Sequence, residues 1–230
     1  MSTAAPSDSE KLPGPRSRKG LATRARLLDA AKAVFEEDGF LEARISDIAE
    51  RAGLSHGSFY HYFDSKEQIF RVIAKGLDDR LNAPLHMVIL DPSSTATLRQ
   101  RVREANRRYL ESYRAEAKII GVIEQVSRYD EHVNAVRFES QRRTCDQVAE
   151  AIRQLQRRGL ADPDLDPLVT APALGAMIAR FAELWLVQNF LDYRLEDGVE
   201  QLTMLFANAV QLRDVPAPEA ADPAEVLRID

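Results

Sequence analysis

The chain of 230 residues has a single cysteine, Cys145, so no intramolecular disulfide can brace it. It also lacks an unbroken apolar run. The most apolar stretch, Leu174 to Leu191, is interrupted by Arg180, Glu183, Gln188 and Asn189, and no membrane span is expected there. The N-terminus has prolines and polar residues where a secretion signal needs an apolar segment, so a cytoplasmic protein is expected. Histidine is scarce: His56 and His61 stand five apart, not at the i, i+4 spacing that places two imidazoles on one metal. His86 and His132 fall in unrelated segments without a nucleophile motif, and no glycine-rich phosphate loop occurs. The expectation is no catalytic site, no metal and no cofactor, and therefore no enzyme. Strand-period segments and internal repeats are absent too, leaving an all-α fold.

What is present is helical periodicity and locally sorted charge. The net charge of −5 is unevenly distributed. From Lys11 to Arg26 there are six basic residues and no acid, whereas Asp214 to Asp230 carries five acids against Arg228. A basic N-terminal arm beside a DNA-reading element favours phosphate contact whatever a distant acidic tail does. The reading element lies in Ile45 to Phe63. Ile45, Ile48, Ala49 and Ala52 form one apolar stripe of a short helix, and Gly53 ends it. Ser55 is placed to cap the next helix, whose buried face is Phe59 and Phe63. His56, Gly57, Ser58, Tyr60, His61 and Tyr62 are left outward, a polar and aromatic surface suited to phosphates and base edges.

Ile45, Ile48, Ala49, Ala52-Gly53-Leu54-Ser55, Gly57-Ser58, Tyr60, Tyr62-Phe63 and Ser65-Lys66-Glu67 together resemble the signature of the TetR/AcrR family of bacterial transcriptional regulators. The resemblance covers about Thr23 to Leu77. It implies that His56, Gly57, Ser58, Tyr60, His61 and Lys66 touch DNA; Arg44, Ser46, Ser55 and Tyr62 complete the expected contact set. Arg44 departs from the family pattern, which has Thr or Ser there as a cap. Either Arg44 contacts a phosphate, or the helix starts later with Ser46 as its cap.

The expected layout is a disordered basic arm over 1–20, a three-helix helix-turn-helix DNA-binding domain over 21–82, a helical effector-binding and dimerisation domain over 83–213, and a disordered acidic tail over 214–230, with about nine helices in all. Helix one is expected near Leu21–Asp38. Helix four should open with a reciprocal capping box between Ser65 and Gln68. Later helices are expected near 95–113, 116–128, 131–158, 167–191 and 196–213. Arg99, Arg101, Arg103, Arg107, Arg108, Arg142 and Arg143 read as solvated faces with nearby acids, or else as the mouth of a site for an anionic ligand.

Phe181, Leu184, Trp185 and Gln188 share one face and are the expected lining of a ligand pocket. Leu191, Leu202, Leu205, Phe206 and Ala209 are the expected dimer interface, in which the last two helices pair with their copies in a four-helix bundle. A plain core would account for the same stripe. The family resemblance implies a homodimeric repressor on a pseudo-palindromic double-stranded operator, released by a mostly apolar small molecule, lipid-like or an acyl thioester. A ligand-independent architectural or activating DNA binder, with a solid second domain, is the alternative.

Overall fold

The computed structural model describes residues 17–82 and 94–213. Most of the expected arm, the connection 83–93 and the acidic tail lie outside the described residues. Among those described, the chain forms nine α-helices and one π-helical turn, with no strand. It divides into two compact units between Ile73 and Ala74.

In the first unit, α1 (Arg18–Glu42) begins earlier than expected because the Ser17 hydroxyl accepts a hydrogen bond from the Gly20 amide at 3.1 Å. Arg18 to Gly20, read from sequence as part of the arm, are thus helical. Leu27, Ala31 and Phe35 are fully buried on its inner face. Gly39 breaks the helical path at φ 74°, a conformation that suits glycine, and Phe40 to Glu42 add a further turn. The break lets Phe40 stack near Phe70, at 4.7 Å between ring centroids, with Phe35 edge-on to Phe70 at 5.0 Å.

The short helix α2 (Ile45–Arg51) buries Ile48 and Ala49, and Gly53 turns the chain at φ 66°. The helix α3 is shorter than the sequence reading, which carried it through Phe63. It spans only His56–Phe59, and Tyr60 to Tyr62 continue as turns with Phe59 and Phe63 buried beneath. An exposed bidentate ion pair, Arg51 with Glu37, ties α2 to α1. The next helix is α4 (Lys66–Asn82), and the division between the units falls inside it. The capping box at its start forms only by half. Ser65 accepts from the Gln68 amide, but the Gln68 side chain accepts from the Asp64 amide instead of the Ser65 amide.

In the second unit, α5 (Leu98–Ala115) opens with a complete capping box between Thr97 and Gln100. It is followed by α6 (Ala117–Val126), α7 (Glu131–Arg157) and α8 (Pro167–Ala182), the last with Asp166 as cap and proline at its first turn. A π-helical turn, Glu183–Val187, extends α8, and α9 (Leu195–Ala209) closes the unit. The late helix therefore ends at Val187, short of Leu191, where the Phe190 amide bonds back to the Leu184 carbonyl. The main pairings are α5 with α9 and α7 with α8. Val102, Ala105, Leu174, Phe206 and Val210 make one core cluster between them.

Two polar features tie α5 to α9. Asn106 donates to the buried Thr203 hydroxyl at 3.2 Å, and outside this contact Arg103 and Arg107 pair with Glu196 and Glu200. Arg108 and Arg142 also pair with acids on their own helices. Arg103, Arg107, Arg108 and Arg142 are not among the residues that wall the cavity described below.

Candidate nucleic-acid interface and ligand cavity

The turn after α2 and the cap of α3 decide what the first unit offers to a partner. Ser55 caps α3 by accepting from the Ser58 amide at 3.3 Å, and the two hydroxyls lie 2.8 Å apart. With Phe59 and Phe63 held inward, His56, Gly57, Tyr60 and His61 stand exposed, with Ser58 and Tyr62 half-buried. His56 and Tyr60 brace each other edge to face at 5.4 Å between centroids, fixing two contact-capable rings on one short surface. Arg24, from α1, lies over the Phe63 ring at 5.0 Å and adds positive charge beside it.

Arg44 resolves one of the two alternatives left open by the sequence. It occupies the cap position of α2, which begins at Ile45, and makes no side-chain capping bond. Ser46 is not the cap; its hydroxyl donates to the Asp47 carboxylate at 3.0 Å. The exposed Arg44 guanidinium thus contributes nothing to the helix start. Arg44→Ala is expected to leave the melting temperature of the DNA-free protein unchanged and to flatten the slope of log affinity against log salt by about one. Fluorescence anisotropy across a salt series checks this, and an unchanged slope would remove Arg44 from the contact surface.

Lys66 is positioned differently from what the sequence implied. Its ammonium donates to the carbonyls of Leu41 (3.0 Å) and Ala43 (2.9 Å) and sits 4.8 Å from the centre of the Phe40 ring. It therefore closes the end of α1, where carbonyls lack helical partners. Sequence periodicity could not show this, because the pairing spans more than twenty positions.

The second unit contains a partly open cavity of about 390 Å3. It is walled by Leu77 and Leu81 of α4, by Val102, Tyr109 and Tyr113 of α5, and by residues of α6, α7 and α8 together with Phe206. Phe181, Leu184, Trp185 and Gln188, the residues expected to line a pocket, are not part of this wall. Trp185 is instead buried against α9, where a Cβ at Gly198 would come within 2.7 Å of the indole, and Phe181 and Tyr193 flank it. The helical face was read correctly as bulky, but periodicity cannot say which neighbour a face meets.

The expected dimer residues separate into two groups. Leu202 and Phe206 point into the subunit, at 2% and 6% exposure, so they are core. Leu205 is 51% exposed, with Met204 and Ala209 also outward and Leu191 half-buried in the loop after the π turn. On α8, Leu168 and Val169 are exposed as well. The stretch Pro167–Val187 is long and apolar enough by length and composition alone to cross a membrane, as core helices of soluble proteins also are, and 28% of its most apolar window is buried within the subunit. Its two charged residues, Arg180 and Glu183, pair with each other at 2.7 Å on the cavity wall.

Residues 27–73, which span α1 from Leu27 through the first half of α4, match the family model described as bacterial regulatory proteins, tetR family. Over this segment the chain matches the tetR family. Over 174 residues it is 25% identical to the uncharacterized HTH-type transcriptional regulator YdgC of Bacillus subtilis, covering 76% of this chain and 86% of that protein. Over 76 residues it is 42% identical to the HTH-type transcriptional repressor KstR2 of Rhodococcus jostii. That match covers 33% of this chain and only 37% of KstR2, so its higher identity concerns about a third of each protein. Among solved structures, the regulator FadR of Bacillus subtilis in complex with stearoyl-CoA superposes with a TM-score of 0.67 at 17% identity, over 81% of this chain and 98% of FadR. At this identity the likeness shows a shared fold over most of the chain.

Proposed function

We propose that this tetR-family chain is a homodimeric, ligand-responsive transcriptional repressor acting in the cytoplasm. The observation that carries the reading is the exposed surface His56, Gly57, Ser58, Tyr60 and His61, held on a buried Phe59/Phe63 base within the family-matched segment. Two such surfaces, one per subunit, enter successive major grooves about 34–36 Å apart on a pseudo-palindromic operator. Ser46, Ser55, Tyr62 and Arg44 flank that surface, and Lys66 supports it by holding the end of α1.

The cavity supports ligand response over the architectural alternative, which requires a solid second unit. A ligand filling it presses on Leu77 and Leu81 of α4, the helix whose first turn carries Lys66. Release of DNA then follows as a population shift, bounded by the ligand's differential affinity for the two states. The apolar share of the lining fits a mostly apolar effector.

The test is binding-site selection with the purified protein. A pseudo-palindromic consensus is the expected result, and His56→Ala is expected to change the preferred base at one symmetric pair of positions, because the first turn of a recognition helix reaches base edges. The same consensus bound uniformly more weakly would exclude direct readout by His56, and no consensus at all would overturn the reading.

A further inference from the structure

The cavity is apolar along most of its wall but electron-rich at one end, and that end narrows the chemistry of what binds. Tyr113 is only 5% exposed and lines the cavity, and among the described residues its hydroxyl makes no hydrogen bond, so it is open to the cavity. Glu124, on the same wall, receives Arg137 on one carboxylate oxygen; the other has no partner among the described residues. The π-helical turn brings in Glu183, whose two oxygens are held by Arg180 and Gln188. Burial pushes the Glu124 carboxyl up, and the neighbouring Glu183 adds to the shift. Burial likewise raises Tyr113, with the charges of Glu124 and Glu183 contributing, so the three groups share one locality and the phenol stays protonated. The rings of Tyr109 and Tyr113 lie 5.7 Å apart beside them.

The two guanidiniums on the cavity wall, Arg137 and Arg180, are already committed. Arg137 holds Glu124 and the Ser127 hydroxyl, and Arg180 holds Glu183 with 56% of its side chain exposed. An anionic head would face the open oxygen of the Glu124 carboxylate, and both guanidiniums on the wall are already paired. A neutral hydroxyl head has one donor and can satisfy only one of the two open oxygens. A cationic head supplies what is missing: donors to the open Glu124 oxygen and the Tyr113 oxygen, and a charge attracted by the tyrosine faces.

We infer that the effector is a lipophilic organic cation, an apolar body whose single ammonium-type head binds between the Glu124 carboxylate and the Tyr113 hydroxyl. The inference rests on the ligand-responsive reading above and assigns the class of its ligand. It also differs from the acyl thioester expected from sequence.

Three probes of equal length test it on the full chain: octylammonium, 1-octanol and octanoate, each followed by thermal shift and by release of the selected operator. Octylammonium is expected to raise the melting temperature and release DNA at concentrations at least tenfold below octanol, with octanoate weakest. Tyr113→Phe and Glu124→Gln are each expected to weaken octylammonium about tenfold while leaving the octanol response in place. Tyr113→Phe keeps the ring packing, so it remains informative if Glu124→Gln is poorly folded without ligand. Octanoate binding as tightly as octylammonium, or octylammonium unaffected by Tyr113→Phe, overturns the assignment. If octanol or octanoate releases the operator and octylammonium does not, ligand response stands and the cationic class falls. If none of the three is taken up, both fall.

Discussion

Leu205→Asp is expected to give a folded helical monomer that no longer retains operator DNA, whereas Phe206→Asp, one position away, is expected not to fold. The two side chains leave α9 about 100° apart, enough to set one inward and the other outward. Phe206 is 6% exposed and packs with Val102, Leu174 and Val210. A carboxylate there would be buried without a partner, at a cost of several kcal/mol out of a typical total of about 5–15. Leu205 is 51% exposed, so within one subunit an aspartate costs little. Its cost arises only if a second copy covers it. Leu168, Val169 and Met204 are outward as well, further apolar side chains on the last two long helices for a second copy to cover. Sedimentation gives the oligomeric state and circular dichroism the fold. An intact Leu205→Asp dimer would place the interface elsewhere, and a folded Phe206→Asp protein would contradict the packing of α9.

Lys66→Ala is expected to lower the stability of the first unit by about 2–4 kcal/mol with no DNA present. Two charge-assisted hydrogen bonds end at main-chain carbonyls, and such bonds contribute about 1.5–3 kcal/mol each, discounted here because the side chain is half-buried. The contact with the Phe40 ring adds less. From the family resemblance alone, Lys66 is a phosphate contact whose loss leaves the fold intact. Thermal denaturation of DNA-free protein separates the two roles, since a phosphate contact has no influence there. A melting temperature equal to that of the parent protein would refute the structural role.

The motif was legible because its residues act locally. Ser55 as a cap, Gly53 as a turn and Phe59 with Phe63 as a buried pair all depend on partners within a few positions. The later helices were legible for the same reason. Thr97, Asp130 and Asp166 cap their starts, and proline opens α8. Helix ends were less so, because Leu191 looks periodic until the π turn removes it from the face.

By itself, then, the sequence determined an all-helical chain with a tetR-type reading element, since caps, turns and apolar stripes are encoded at short range. Only the tertiary structure decided which side of each stripe meets a neighbour. It turned Phe206 inward and Leu205 outward, moved Trp185 from the expected pocket to a seat against Gly198, and brought Tyr113 and Glu124 from different helices to one end of a cavity. The physical reason is that a helical period fixes the angle between side chains on one helix, while the partner of each face depends on how distant segments pack.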